Sequence, residues 1–122
     1  VEVIHPLDAP NGVGLSPDGT KLYAAETHTG RVWAWDVTAP GEAGGGNPMG
    51  PGGGTLLAGL PGLQLLDSLA VDGDGWVCVG TLVNGGITAI SPDGATVEHV
   101  TLSGSGKLAA IDWPRPGLKL AH

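Results

Sequence analysis

NGVGLSPDGTKLYAAETHTGRVWAWD, residues 11–36, holds three short apolar runs separated by two turn signals. The runs are Val13–Leu15, Lys21–Ala25 and Arg31–Trp35. In the first signal, Ser16-Pro17-Asp18-Gly19, Pro17 presets φ, Asp18 can bond its own backbone, and Gly19 tolerates φ > 0, so a tight turn is expected. The second, Thr27-His28-Thr29-Gly30, also ends in Gly. The β-branched and aromatic residues of Val32-Trp33-Ala34-Trp35 favour strand over helix. The stretch reads as a three-stranded antiparallel meander.

The same pattern returns in DSLAVDGDGWVCVGTLVNGGITAISPDGATVEHV, residues 67–100. With Asn11 set over Asp67, 56 positions on, Leu15 falls over Val71 and Asp18-Gly19 over Asp74-Gly75. Val32–Trp35 falls near Ile87–Ile90, and Ser91-Pro92-Asp93-Gly94 marks the next turn. A fourth strand is expected at Thr55–Ala58 in the first copy and at Thr96–Leu102 in the second. Between strands three and four of the first copy lies TAPGEAGGGNPMGPGGG, residues 38–54, which has no periodicity and reads as a flexible loop. Leu108–Trp113 opens a possible third copy, which Pro114 and Pro116 then interrupt.

Four-stranded antiparallel units at this period point to an all-β fold, a β-propeller, in a single partial domain. Its blades are expected at 11–59 and 67–102, with an incomplete blade at 108–122. A small β-sandwich or open meander is the alternative. Propellers have ~4–8 blades, and this chain has material for about two and a half. Blade faces and strand edges would stay open, so either the chain is a piece of a longer protein or copies associate. The first residue, Val1, is consistent with trimmed ends.

Composition narrows the partners. Five basic residues against 12 acidic ones give a formal charge of −7, which argues against nucleic acid and anionic membranes. Despite 23 Gly and 10 Pro, 41% of residues are hydrophobic and only 14% charged, which is not a disordered composition. No apolar run approaches the ~20 residues that span a bilayer. The single cysteine, Cys78, sits in the apolar run Trp76–Val79 and reads as a buried, inert thiol.

Pro10-Asn11-Gly12-Val13 with Leu15-Ser16-Pro17-Asp18-Gly19 and Leu22-Tyr23 resembles the senescence marker protein/gluconolactonase/luciferin-regenerating enzyme family. Leu66–Asp72 followed by Gly75-Trp76-Val77 resembles it too. The resemblance implies a six-bladed propeller longer than this chain, a central divalent metal, often calcium, and hydrolysis of lactones or related esters. It implies that Asn11 and Asp67 are metal ligands and that Asp67 is the candidate general base. Ser68 stands where the family usually has glycine. The family's metal-binding glutamate and a further asparagine have no counterpart here, since Glu2 lacks the expected Gly-Pro context. A two-fold dimer would place two Asn11 and two Asp67 around one axis and replace those ligands.

In a four-stranded blade, the loop entering the inner strand and the loop joining strands two and three share one face. Asn11 and Asp67 therefore share a face with Glu26, His28 and Asn84, the candidate substrate contacts. The Ser-Pro-Asp-Gly turns and the Gly-rich loop are expected on the other face. Calcium takes ~6–8 oxygen ligands, which carboxylate, amide and water can supply. The substrate expected is a small lactone or ester, polarised by the metal and attacked with Asp67 or metal-bound water as base or nucleophile. Asp72-Gly73-Asp74-Gly75 is rejected as a calcium loop because Val83 stands where a bidentate Glu belongs. Gly104-Ser105-Gly106-Lys107 is too short for a phosphate loop, and no Gly-x-Ser-x-Gly elbow is present. The alternative function is a propeller fragment or binding module without a working metal site.

Overall fold

A computed structural model describes residues 7, 10–62, 65–83 and 85–101. The incomplete blade expected at 108–122 lies outside the described residues. The elements run β1 (Pro10–Leu15), β2 (Lys21–Glu26), β3 (Arg31–Ala39), β4 (Glu42–Gly44), a 3₁₀ turn (Pro51–Gly53), β5 (Thr55–Gly59), β6 (Leu66–Val71), β7 (Val77–Thr81), β8 (Gly86–Ile90) and β9 (Val97–Thr101). All pairings are antiparallel, in two sheets ordered β1-β2-β3-β4, with β5 also on β3, and β6-β7-β8-β9. The chain is all-β, and the two sheets are blades of a partial β-propeller.

The turns form as their residues dictate. The Asp18 carboxylate accepts from Ser16 Oγ at 2.7 Å, Thr20 Oγ1 at 2.7 Å and Thr20 N at 3.0 Å. Asp93 repeats this with Ser91 Oγ at 2.7 Å and Ala95 N at 3.0 Å. Gly19 and Gly94 close the two turns at φ 74° and 75°. Asp72 Oδ1 accepts from Asp74 N at 2.9 Å and Trp76 N at 3.0 Å, so this aspartate shapes the β6–β7 turn. The bonds to Asp18 and Asp93 favour the charged carboxylate. The donors from Thr20 and Ser16 hold Asp18 at about 2, down from 3.8, and the donor from Ser91 lowers Asp93. A depressed folded-state pKa contributes stability that is fully present above the unfolded value and is lost as pH falls through the folded one. We therefore expect the thermal midpoint to fall between about pH 4 and pH 2. The fall should be smaller in an Asp18→Asn, Asp93→Asn double variant, as melts across that range would record. Parallel curves for the two proteins would refute the linkage.

Register shows how the blades repeat. Leu15, Leu22 and Trp35 form one cross-strand row, matched in the second sheet by Val71, Val77 and Ile90. Val13, Ala24 and Trp33 form the adjacent row, matched by Leu69, Val79 and Thr88. Side chains alternate across a strand, so both rows of each sheet lie on one face. In the second sheet that face packs on the first. Leu69, Val77, Val79 and Ile90 join Tyr23, Ala25 and Val32 in one buried cluster. Each such fully buried aliphatic side chain contributes ~1.5–3 kcal/mol of transfer free energy. The inner strands β1 and β6 meet at Gly12 and Gly14, where β1 has no side chains to hold them apart. Equivalent strands therefore stack blade on blade, which a sandwich of unrelated sheets does not require.

The Gly-rich stretch is ordered, not the flexible loop its composition suggested. β4 pairs with the far half of β3 and β5 with the near half, so the two share one strand position, interrupted by residues 45–54. Within the insert, Asn47 N donates to Gly53 O at 3.2 Å, Gly50 N to Asn47 O at 3.2 Å and Asn47 Nδ2 to Gly54 O at 2.9 Å. A Cβ on Gly53 would lie 2.2 Å from Gly45 O, which explains glycine at that crossing. Trp35, 2% exposed, anchors the insert by donating from Nε1 to Pro51 O at 2.7 Å. Composition alone missed an anchor that lies outside the loop itself.

Candidate functional site

Asn11 and Asp67 converge. Asn11 Nδ2 donates to Asp67 Oδ1 at 2.8 Å across the seam between the blades. Matching irregularities aim the two side chains. In β1 the register passes from Pro10↔Glu26 to Gly12↔Ala25, so Asn11 is an extra residue. In β6 it passes from Leu66↔Thr81 to Leu69↔Val79, so Asp67 and Ser68 together oppose Gly80. A bulge of this kind places two successive residues opposite one and re-aims a side chain. Strict alternation from Gly12 would send Asn11 to the far side of the sheet, with Val13. The bulge lets it face Asp67. Asn and Asp at the heads of inner strands were legible in the sequence, but the bulges that turn them together were not.

Backbone holds the seam in place. Leu66 N donates to Thr27 O at 3.1 Å, and Leu82 N donates to Leu65 O at 3.2 Å. Leu65 adopts φ 48°, in the left-handed region that a branched side chain rarely enters. This strained residue lies two positions before Asp67, fixed by contacts on both sides. Strain of this sort persists only where the surroundings over-determine it.

The other candidates are placed differently. His28 is exposed in the β2–β3 turn, one residue after Thr27, whose carbonyl is bonded to Leu66, so its turn adjoins the seam. Glu26, 5% exposed, accepts at Oε1 from Trp33 Nε1 and Thr29 Oγ1, both at 2.8 Å. Those bonds draw it to the Trp33 side of the first sheet, opposite the side of Ala25 and Gly12. The Gly-rich insert reaches that side too: Met49–Gly52 and Glu26, Thr29 and Trp33 line a groove of about 750 Å³. The insert was expected on the face opposite the substrate contacts, yet its tip lies beside one of the residues proposed for that role. Asn84 lies outside the described residues. His99 Nδ1 is paired with Thr88 Oγ1 at 2.9 Å, and the Cys78 thiol is buried.

The side chains of the pair, one carboxylate and one amide, are of the kind that can supply oxygen ligands to a hard cation, although here it is the Asn11 amide nitrogen that meets the Asp67 carboxylate at the blade seam. Two side-chain oxygens fill only part of a shell of ~6–8. Among the described residues, no group of three or more His, Cys, Asp or Glu is arranged to hold a metal. Also among the described residues, no helix is long and apolar enough to cross a membrane.

Two antiparallel blades stacked through their inner strands, with an Asn–Asp pair at the seam, define the chain as part of a β-propeller. The family described as SMP-30/Gluconolactonase/LRE-like region matches residues 1–119, and the chain belongs to that family. No individual curated protein matches it.

Proposed function

We propose that the chain carries part of the site of a metal-dependent hydrolase acting on lactones or related esters. The observation behind this reading is the 2.8 Å contact between Asn11 and Asp67 at the seam of two blades, in a chain of this family. Asn11 Oδ1 and the Asp67 carboxylate would contribute two ligands to a divalent cation such as calcium. Further blades, supplied in this proposal by a second copy in a dimer, would contribute the rest. When bound, the cation would polarise the substrate carbonyl.

The chain's own residues have separate tasks. Asp67 takes a proton from the attacking water, whose oxygen bonds to the carbonyl carbon. The ring C–O bond then breaks, and the proton passes to the departing alkoxide. Asn11 holds the Asp67 carboxylate in place, and His28, in the adjoining turn, contacts the substrate. Glu26 and Asn84 are retained as candidate substrate contacts in the completed assembly, with Glu26 reaching it through the groove beside Trp33.

A second reading, a propeller fragment or binding module without a working metal site, is favoured by one observation. Among the described residues, no group of three or more His, Cys, Asp or Glu is arranged to hold a metal, and Asp67 Oδ1 is already engaged by Asn11. Calorimetric titration with calcium, sedimentation with and without calcium, and lactone hydrolysis with and without chelator separate the two readings. The hydrolase reading expects calcium binding, calcium-promoted dimerisation and chelator-sensitive turnover. Neither binding nor turnover in a folded protein would leave only the second reading.

A further inference from the structure

Between the two blades, at the end away from Asn11 and Asp67, lies a cavity of about 220 Å³. Lys21 pairs with Asp36 at this end of β2, whereas Glu26 pairs with Pro10 and Arg31 at the other, ~17 Å along the strand. The first blade lines the cavity with Lys21, Tyr23 and Asp36, and Gly44–Gly46 add backbone with no side chains to fill the space. The second blade lines it with Pro92 and Asp93. That wall is held close, because a Cβ on Gly94 in the same turn would lie 2.3 Å from Leu57 O in β5. The cavity is formed between two adjoining blades, so its walls do not depend on what packs against either outer face.

Two polar groups lining it have bonding capacity left over. Tyr23 is 3% exposed, and among the described residues no group bonds its hydroxyl. Burial raises its pKa, so it stays a phenol that can both donate and accept. Asp93 Oδ1 accepts from Ser91 Oγ and Ala95 N, bonds that lower its pKa and keep it charged. Among the described residues no cation pairs with Asp93, and the Lys21 ammonium is already taken by Asp36. One negative charge is thus left without a counterion, beside a buried phenol and the apolar surfaces of Leu57 and Pro92. We propose that this cavity binds a small organic cation, an ammonium group on a short apolar chain. Asp93 supplies the opposite charge, Tyr23 Oη a hydrogen bond, and Leu57 and Pro92 the apolar contact. An anion finds Lys21 occupied and is repelled both by Asp93 and by a formal charge of −7. This proposal does not depend on hydrolysis or on metal binding at the other end of the seam.

Calorimetric titration of the whole chain with n-butylammonium chloride at neutral pH tests this, with butan-1-ol and sodium butyrate as the neutral and anionic matches. We expect saturable one-to-one binding of the ammonium in the millimolar range, and binding of both matches at least ~tenfold weaker. Asp93→Asn keeps an oxygen for Ser91 and Ala95 but removes the charge, and should weaken binding at least ~tenfold. Tyr23→Phe removes only the unbonded hydroxyl, so it should weaken binding ~threefold or more and leave the melting temperature nearly unchanged. Asp67→Asn should leave ammonium binding as it is, which separates this site from the seam. No saturable binding in folded protein, equal binding of either match, or a loss in Asp67→Asn overturns the site. Unchanged affinity in Asp93→Asn or in Tyr23→Phe, the mark of an adventitious additive only, overturns it as well. If Asp93→Asn does not fold, Tyr23→Phe alone decides.

Discussion

Asp67→Asn is expected to lower lactone hydrolysis by at least ~100-fold, the low end of what a positioned general base contributes. It should also weaken calcium binding and leave the melting temperature nearly unchanged. The substitution keeps size and shape, and an Asn oxygen at position 67 still accepts from Asn11 Nδ2, now at 2.8 Å from Asp67 Oδ1. What is lost is the negative charge and the capacity to take a proton, so only the proposed chemistry should suffer. Asn11→Ala makes the useful contrast. It leaves the base in place but removes the group that orients it, so the rate should fall less than in Asp67→Asn. Rate, calcium affinity and melting temperature measured on both variants would check this. An unchanged rate in folded Asp67→Asn protein would remove Asp67 from the reaction.

The fold was legible because its signals are local. Ser16-Pro17-Asp18-Gly19 and Ser91-Pro92-Asp93-Gly94 carry their own turn chemistry, and the apolar runs between them have strand period and composition. The 56-residue offset then placed Asn11 over Asp67, and the structure puts these two side chains in contact. What escaped the sequence was non-local. A bulge at Asn11 depends on the register of β1 against β2, which no run of residues near Asn11 states. Glu26 read as a loop residue, but it ends β2, where its carboxylate accepts from Trp33 on the neighbouring strand. The insert read as flexible because glycine density usually means freedom. Here several of its glycines are required by close crossings, at Gly45 with Gly53 and at Gly54 with Trp35.

Gly12→Ala should be the most disruptive single methyl group that can be added to β1. A Cβ at position 12 would lie 2.6 Å from the Asp67 carbonyl oxygen, 2.6 Å from Leu69 Cβ and 2.8 Å from Leu69 N. None of these atoms can rotate away, because all belong to the β6 backbone or are fixed directly to it. The strands must separate, and separation loosens the cluster in which Leu66 and Leu69 are fully buried. Gly14→Ala meets a softer obstacle, Leu69 Cδ2 at 2.7 Å, the end of a side chain that can change rotamer. Overpacking of a core ordinarily costs ~1–3 kcal/mol, and Gly14→Ala belongs in that range. Gly12→Ala should reach ~3 kcal/mol or more, a drop in melting temperature of roughly 10 °C. Because Asn11 is the next residue and Asp67 is on the strand pushed away, calcium affinity should fall along with stability in Gly12→Ala and much less in Gly14→Ala. Denaturant unfolding and calcium titration on both variants would test the ordering. Equal, small effects at the two positions would mean that β1 and β6 are not packed backbone to backbone, and the seam that joins Asn11 to Asp67 would lose its physical basis.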